Sequence, residues 1–165
     1  MHGAWNKRIR KFLYRLFDAV SGIDNLILVC AFTDHEGLLD TTKIPENVLM
    51  FDRVPQLRML QLADLFITHG GLGSIKESIM AGVPMLAYPI TNNWDSNGNC
   101  TKIAFHEFGL KGNIDRDSAL HIIAKIYRIF NTTSFRKSLL SINDLVVRVY
   151  TDKRFVEHID KLLAD

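Results

Sequence analysis

Cysteine, net charge and long apolar runs are all scarce in this 165-residue chain, and each scarcity removes a class of protein. Two cysteines, Cys30 and Cys100, build no disulfide framework and lack zinc-ligand spacing; each falls in a predicted element and reads as a small buried residue. A formal charge of +2 is too small to imply a nucleic-acid partner. No apolar run approaches the ~20 residues that cross a bilayer. The opening Met1-His2-Gly3-Ala4-Trp5-Asn6 also lacks the apolar segment of a signal peptide, so a cytoplasmic location is expected. There is no internal repeat, low-complexity tract or linker, and one domain spanning 1–165 is expected. What remains is a chain 47% hydrophobic and 23% charged, enough for one core of ordinary size.

The elements alternate, which predicts a parallel sheet with helices on both faces. Helices are expected near 5–21, 56–62, 74–81 and 96–107, and strands at 26–31, 47–51, 64–68, 84–88 and 110–114. Three helices follow. Leu120, Ile123, Tyr127 and Phe130 share one face, as do Leu139, Ile142, Val146 and Val149, and then Phe155, Ile159 and Leu162. In the first helix Ile9, Phe12, Leu13, Leu16, Phe17 and Val20 form an apolar stripe. Lys7, Arg8, Arg10, Lys11 and Arg15 fall mostly opposite it, a pattern read as a solvated face in preference to peripheral contact with anionic membrane lipid.

The most informative run is 64–89. The short apolar strand at Leu65-Phe66-Ile67-Thr68 leads into His69-Gly70-Gly71-Leu72-Gly73-Ser74, then a helix that closes through Ala81-Gly82-Val83-Pro84 into the next strand. Glycines let backbone approach a ligand closely, and the free N–H groups of a helix start favour an anion. Ser74 is expected to open the helix, with Glu77 three residues on completing a capping box, a role compatible with ligand contact by either. Lys76 stands where a third glycine would complete the dinucleotide fingerprint, so that motif is excluded. Asp115-Arg116-Asp117 has the look of a metal-holding pair, but Asp117 directly precedes a helix and reads as its N-cap.

Val54-Pro55-Gln56, His69-Gly70-Gly71-Leu72-Gly73-Ser74, Glu77-Ser78, Ala81-Gly82-Val83-Pro84 and Pro89 resemble, in order and nearly in register, the signature of the nucleotide-sugar glycosyltransferases similar to UDP-glucuronosyl and macrolide glycosyltransferases. The resemblance runs from about residue 25 to about 150. It implies the Rossmann-like C-terminal half of a GT-B enzyme, which binds the donor, inverts at the sugar carbon and uses neither metal nor cofactor. It also implies that the first strand and an N-terminal acceptor domain, the source of the general base, are missing or supplied by a partner subunit. The final helix, 152–164, would pack across that domain.

By the same resemblance His69 contacts the diphosphate, Gly71, Gly73 and Ser74 offer donors to it, Glu77 accepts from the ribose hydroxyls, and Arg53, Val54 and Gln56 hold the base. Arg53 stands where many relatives stack a tryptophan on uracil, and a guanidinium also stacks on a base. Anchoring on Asn99 and Ile103 puts Asp95 and Ser96 at the sugar-gripping positions, with Trp94 lining the pocket or anchoring its loop. The implied activity is transfer from a UDP-sugar, or another nucleoside diphosphate sugar, to an acceptor hydroxyl. A non-catalytic nucleotide-sugar binding subunit and a sugar-nucleotide epimerase of similar fold are the alternatives.

Overall fold

A computed structural model describes residues 2–32, 39–90 and 94–151, apart from the side chains at 2–6, 94 and 146–151. The element order is α1 (His2–Ser21), β1 (Leu28–Ala31), β2 (Val48–Phe51), α2 (Gln56–Leu60), β3 (Phe66–Thr68), α3 (Leu72–Ala81), β4 (Met85–Ala87), α4 (Trp94–Phe105), β5 (Gly109–Lys111), α5 (Ala119–Asn131) and α6 (Thr133–Thr151). A 3-10 turn at Thr41–Lys43, capped by the Asp40 carboxylate, was not predicted. The helix expected around Phe155, Ile159 and Leu162 lies outside the described residues, as does the final segment 152–164.

All strand pairs are parallel, as the alternation predicts. The hydrogen bonding nevertheless divides the strands into two sheets, β1–β2 and β3–β4–β5, where one was expected. Strand β4 shows how helices cover the larger sheet. Side chains alternate across a strand, so Leu86 and Tyr88 enter the cluster formed with α1 and α5, while Met85 and Ala87 meet Ile75 of α3, Cys100 and Ile103 of α4 and Leu139 of α6. Every residue of β4 is buried, whereas β1 and β3 are mostly half-buried. Cys30, on β1, is therefore only half-buried, while Cys100 is fully buried as expected.

The stripe of α1 is buried as its period of three and four requires, and Phe12 packs on Tyr88 with ring centroids 4.5 Å apart. Its basic residues are not all solvated. Arg8 donates twice to the Asp115 carboxylate at 2.6 Å and also to the Ile90 carbonyl. Arg15 donates to the carbonyls of Asp117 at 2.8 Å, Asp115 at 3.2 Å and Ile114. These two arginines tie α1 to the loop after β5, a task that helix periodicity alone does not reveal. On α5 the buried stripe is Ile122, Ile126 and Ile129, while Leu120, Tyr127 and Phe130 are exposed. That helix is apolar on both sides, so tertiary contact chose the face.

Asp117 is not the cap of α5. Ser118 is, in a reciprocal box with His121. The Asp117 carboxylate instead accepts from Lys125 at 2.8 Å, Tyr88 at 3.0 Å and the Asn113 N–H at 3.2 Å. Burial pushes its pKa up, but the bonds from Lys125, Asn113 and Tyr88 outweigh burial and leave it below the ordinary carboxylate value. A carboxyl whose folded pKa is depressed adds stability above its unfolded pKa, about 3.9, and that stability is lost as pH falls through the lower folded value. Tyr88→Phe should therefore destabilise the chain by about 1–2 kcal/mol at neutral pH, with the deficit shrinking in acid below about pH 4. Urea unfolding of both proteins across that range checks it; a deficit independent of pH would contradict the charge-assisted bond.

Candidate functional site

The site collects at the carboxyl ends of β2, β3 and β4, where open α/β sheets bind ligands. The loop after β3 makes the sharpest turn. Gly70 sits at φ 89°, and a Cβ there would come within 2.6 Å of the Cys100 Sγ, so both conformation and packing demand glycine. Helix α4 holds this turn from below: Asn99 Nδ2 donates to the Gly70 carbonyl at 3.0 Å, and Ser96 Oγ donates to the His69 carbonyl at 2.5 Å. Sequence reasoning used Asn99 only as an alignment anchor and missed this role. Ser96, expected at the sugar, spends its proton on the turn. Asp95 is exposed in the first turn of α4, and the side chain of Trp94 lies outside the described atoms.

Helix α3 starts earlier than expected. Its N-cap is Gly71, which makes no side-chain cap bond, so Ser74 is the third helical residue and the expected capping box with Glu77 does not form. The first intrahelical bond is from the Ile75 N–H to the Gly71 carbonyl at 3.0 Å, which leaves the N–H groups of Leu72, Gly73 and Ser74 directed out of the helix end. A Cβ on Gly73 would meet nothing within 4 Å, so open space lies over these donors. The exposed His69 turns its ring back over Gly71, with Nε2 3.0 Å from where a Cβ on Gly71 would stand. A ring nitrogen, the helix-end donors and the positive end of the α3 dipole thus converge on one exposed spot.

Ser74 and Glu77 lie one turn apart on α3, and both meet Gln56, the first residue of α2. Gln56 Nε2 donates to Glu77 Oε2 at 2.6 Å and to Ser74 Oγ at 3.1 Å. This cluster joins the loop after β2 to the helix after β3. Glu77 Oε1 has no partner among the described residues and remains an acceptor. Arg53 is exposed and Val54 half-buried in the same loop, so the predicted base-holding residues lie beside Glu77 through Gln56. Of the predicted residues, His69, Gly71, Gly73, Ser74, Glu77 and Gln56 form one contiguous patch. Asp95 and Ser96 reach it only through the turn they border.

Among the described residues no three His, Cys, Asp or Glu side chains lie close enough to hold a metal ion. Asp115 is engaged by Arg8, whose bond holds its carboxyl below the usual range, and Asp117 is engaged as above. Among the described residues no helix is long and apolar enough to cross a membrane.

A parallel α/β domain with an anion-directed glycine turn at its strand ends is of the class found as the C-terminal domain of GT-B glycosyltransferases. Solved structures share its fold: the glycotransferase of kitacinnamycin superposes with a TM-score of 0.80 over 92% of this chain at 22% identity, and a spinosyn forosaminyltransferase with 0.79 over 99% at 20%. The chain belongs to the family described as "Erythromycin biosynthesis protein CIII-like, C-terminal domain", which matches residues 14–150. It is similar to the NDP-glycosyltransferase YjiC of Bacillus licheniformis, 56% identical over 46 residues, and to the oleandomycin glycosyltransferase of Streptomyces antibioticus, 47% identical over 47 residues. Each of those matches covers 28% of this chain, and 12% and 11% of the respective relative. The chain spans about two fifths of the two solved structures, 39% and 41%.

Proposed function

We propose that this chain is the donor-binding part of a glycosyltransferase that moves a sugar from a nucleoside diphosphate sugar, UDP-sugar first among them, to an acceptor hydroxyl. The observation that carries the reading is the open space over Gly73, bounded by the helix-end N–H groups, the His69 ring and the Gln56–Ser74–Glu77 cluster. Departure of a nucleoside diphosphate leaves charge on the β-phosphate. Fixed donors at a helix end stabilise such charge without reorganising. His69 adds a further donor when its Nε2 carries the proton. The free Glu77 oxygen suits a vicinal diol, as on ribose, while Gln56 holds the carboxylate in place. Arg53 and Val54 border the position the base would take, and Asp95 and Trp94 the position of the sugar.

On this reading the reaction inverts the sugar carbon and needs no metal or cofactor, and the general base that deprotonates the acceptor comes from a separate acceptor domain or partner subunit. The printed names of the relatives, NDP-glycosyltransferase and UDP-glucosyltransferase, support the donor class. A cytoplasmic location and the absence of nucleic-acid or membrane partners belong to the same proposal.

Calorimetric titration with UDP, UMP and uridine tests the site. Affinity should rise with each phosphate, by about tenfold for a charge-assisted contact of ~1.5 kcal/mol. His69→Ala and Glu77→Ala should each weaken UDP, and only Glu77→Ala should erase the preference for UDP over a diphosphate lacking ribose. Equal affinity for all three ligands would remove the phosphate assignment.

Transfer itself is expected to be absent in the purified chain and restored by an acceptor domain of a relative, fused or added, without metal. Positioning of the two reactants supplies much of the rate, and one half of the cleft positions only one of them. Robust transfer by the chain alone would overturn the division of labour. Loss of the restored activity on chelation would overturn metal independence.

A further inference from the structure

The division of the strands into two sheets coincides with a cavity of about 1330 Å³. It runs between the facing edges of β1 and β3, with Phe12 and Leu16 of α1, Ile126 of α5 and Leu60 of α2 among its lining. Small-molecule pockets are typically about 300–1,000 Å³, so this slot is large for one. Its two long walls are backbone edges. In β1 the Leu28 N–H donates to Asn47 and the Phe32 N–H to Phe51, so the even-numbered residues turn toward β2 and the N–H and C=O groups of Val29 and Ala31 turn toward the slot. In β3 the Phe66 N–H donates to Pro84, and the Thr68 carbonyl accepts from Tyr88. Ile67 therefore also turns its backbone toward the slot. Among the described residues no strand pairs with either edge.

The two walls run in the same direction. Gln56, just beyond β2, bonds to Ser74, just beyond β3, so the carboxyl ends of both sheets lie together. We infer that the slot is a docking site for one extended, wholly apolar peptide strand of another polypeptide, inserted between β1 and β3 and parallel to both. Such a strand joins the two sheets into one and ends beside the glycine turn.

The walls specify this occupant. An apolar small molecule offers nothing to two rows of N–H and C=O groups, whose burial without partners is costly. Edge pairing with a second copy satisfies one row and leaves the other. A strand satisfies both, because its successive residues turn their backbone groups to opposite sides. Apolar side chains are required on both of its faces, since α1 and α5 line one side of the slot and α2 lines the other. The four residues of β1 and three of β3 set a length of about five residues.

The test uses the full chain and a synthetic peptide with a core of about five valine and leucine residues, flanked by lysines for solubility. Hydrogen exchange is read at single amides. Peptide at about ten times its dissociation constant should slow exchange about tenfold at Val29, Ala31 and Ile67. The amides already facing β2 and β4 should change little. Two further peptides carry N-methyl groups at alternate core residues, one at the odd positions and one at the even. Each loses the ladder to one wall, so both should fail to protect the three amides. Protection that survives both sets of N-methyl groups would show apolar uptake without strand pairing and overturn the proposal. Protection of the three amides before any peptide is added would mean that the chain fills its own slot or pairs with a second copy, and sedimentation distinguishes these. No protection by the unmodified peptide would likewise overturn the proposal.

Discussion

Gly73→Leu should lower the affinity for UDP by about tenfold to a hundredfold while leaving the fold as stable as before or slightly more so. The two effects have opposite signs because they have different causes. A Cβ at this position meets nothing within 4 Å and Gly73 has no left-handed backbone, so the side chain enters open space without strain. Replacing a helical glycine gains up to about 0.8–1 kcal/mol of helix propensity, equivalent to about 2–4 °C in Tm for a chain of this size. That open space is also where the proposed diphosphate must approach the helix-end N–H groups. Excluding it forfeits one or two charge-assisted bonds of about 1.5–3 kcal/mol each. Titration and thermal unfolding of the same preparation check both halves. Unchanged UDP affinity would place the phosphates elsewhere.

Gly109→Ala should have the largest effect on folding. Gly109, at the start of β5, has φ 152°, and a Cβ there would stand 1.8 Å from the Met85 carbonyl oxygen and under 3 Å from its C and N atoms. Those atoms belong to the fully buried strand β4 and cannot swing aside as the end of a flexible side chain can. Either β5 leaves β4 or the central strand shifts, and the packing of Met85 and Leu86 is lost with it. A cost of about 4–5 kcal/mol or more is expected, a large share of the 5–15 kcal/mol that typically stabilises a domain. The soluble yield should collapse, and any folded fraction should unfold at a much lower urea concentration. A variant within about 1 kcal/mol of the parent would show that β5 can be displaced at little cost.

The accuracy of the sequence reading depended on how local each signal was. The stripe of α1 was legible because six residues repeat on one face with polar residues opposite. The stripe of α5 was not, since Leu120, Ile122, Ile123, Ile126, Tyr127, Ile129 and Phe130 leave the helix no polar side to exclude. Serine and glutamate three apart suggested a cap for α3, yet Gly71 ends the loop first and Ser74 faces Gln56 from inside the helix. Asp117 and Ser118 were rival caps one residue apart, and Lys125 and Tyr88 drew the aspartate inward. The basic residues of α1 showed their spacing but not that two of them bind carbonyls about a hundred residues downstream.

Sequence alone determined the parallel α/β class, the donor-directed glycine turn and the family resemblance, because each rests on residues close together in the chain. Hydrophobic period, glycine placement and a strand followed at once by a helix are local properties. Only the tertiary structure decided that Gln56 meets Ser74 and Glu77, that Asn99 and Ser96 hold the turn, and that the strands form two sheets with an apolar slot between them. Those contacts join segments from 18 to 29 residues apart, and distance in sequence carries no mark of which side chains will meet. Their partners are chosen by how the helices pack on the strands, and so appear only once the chain is folded.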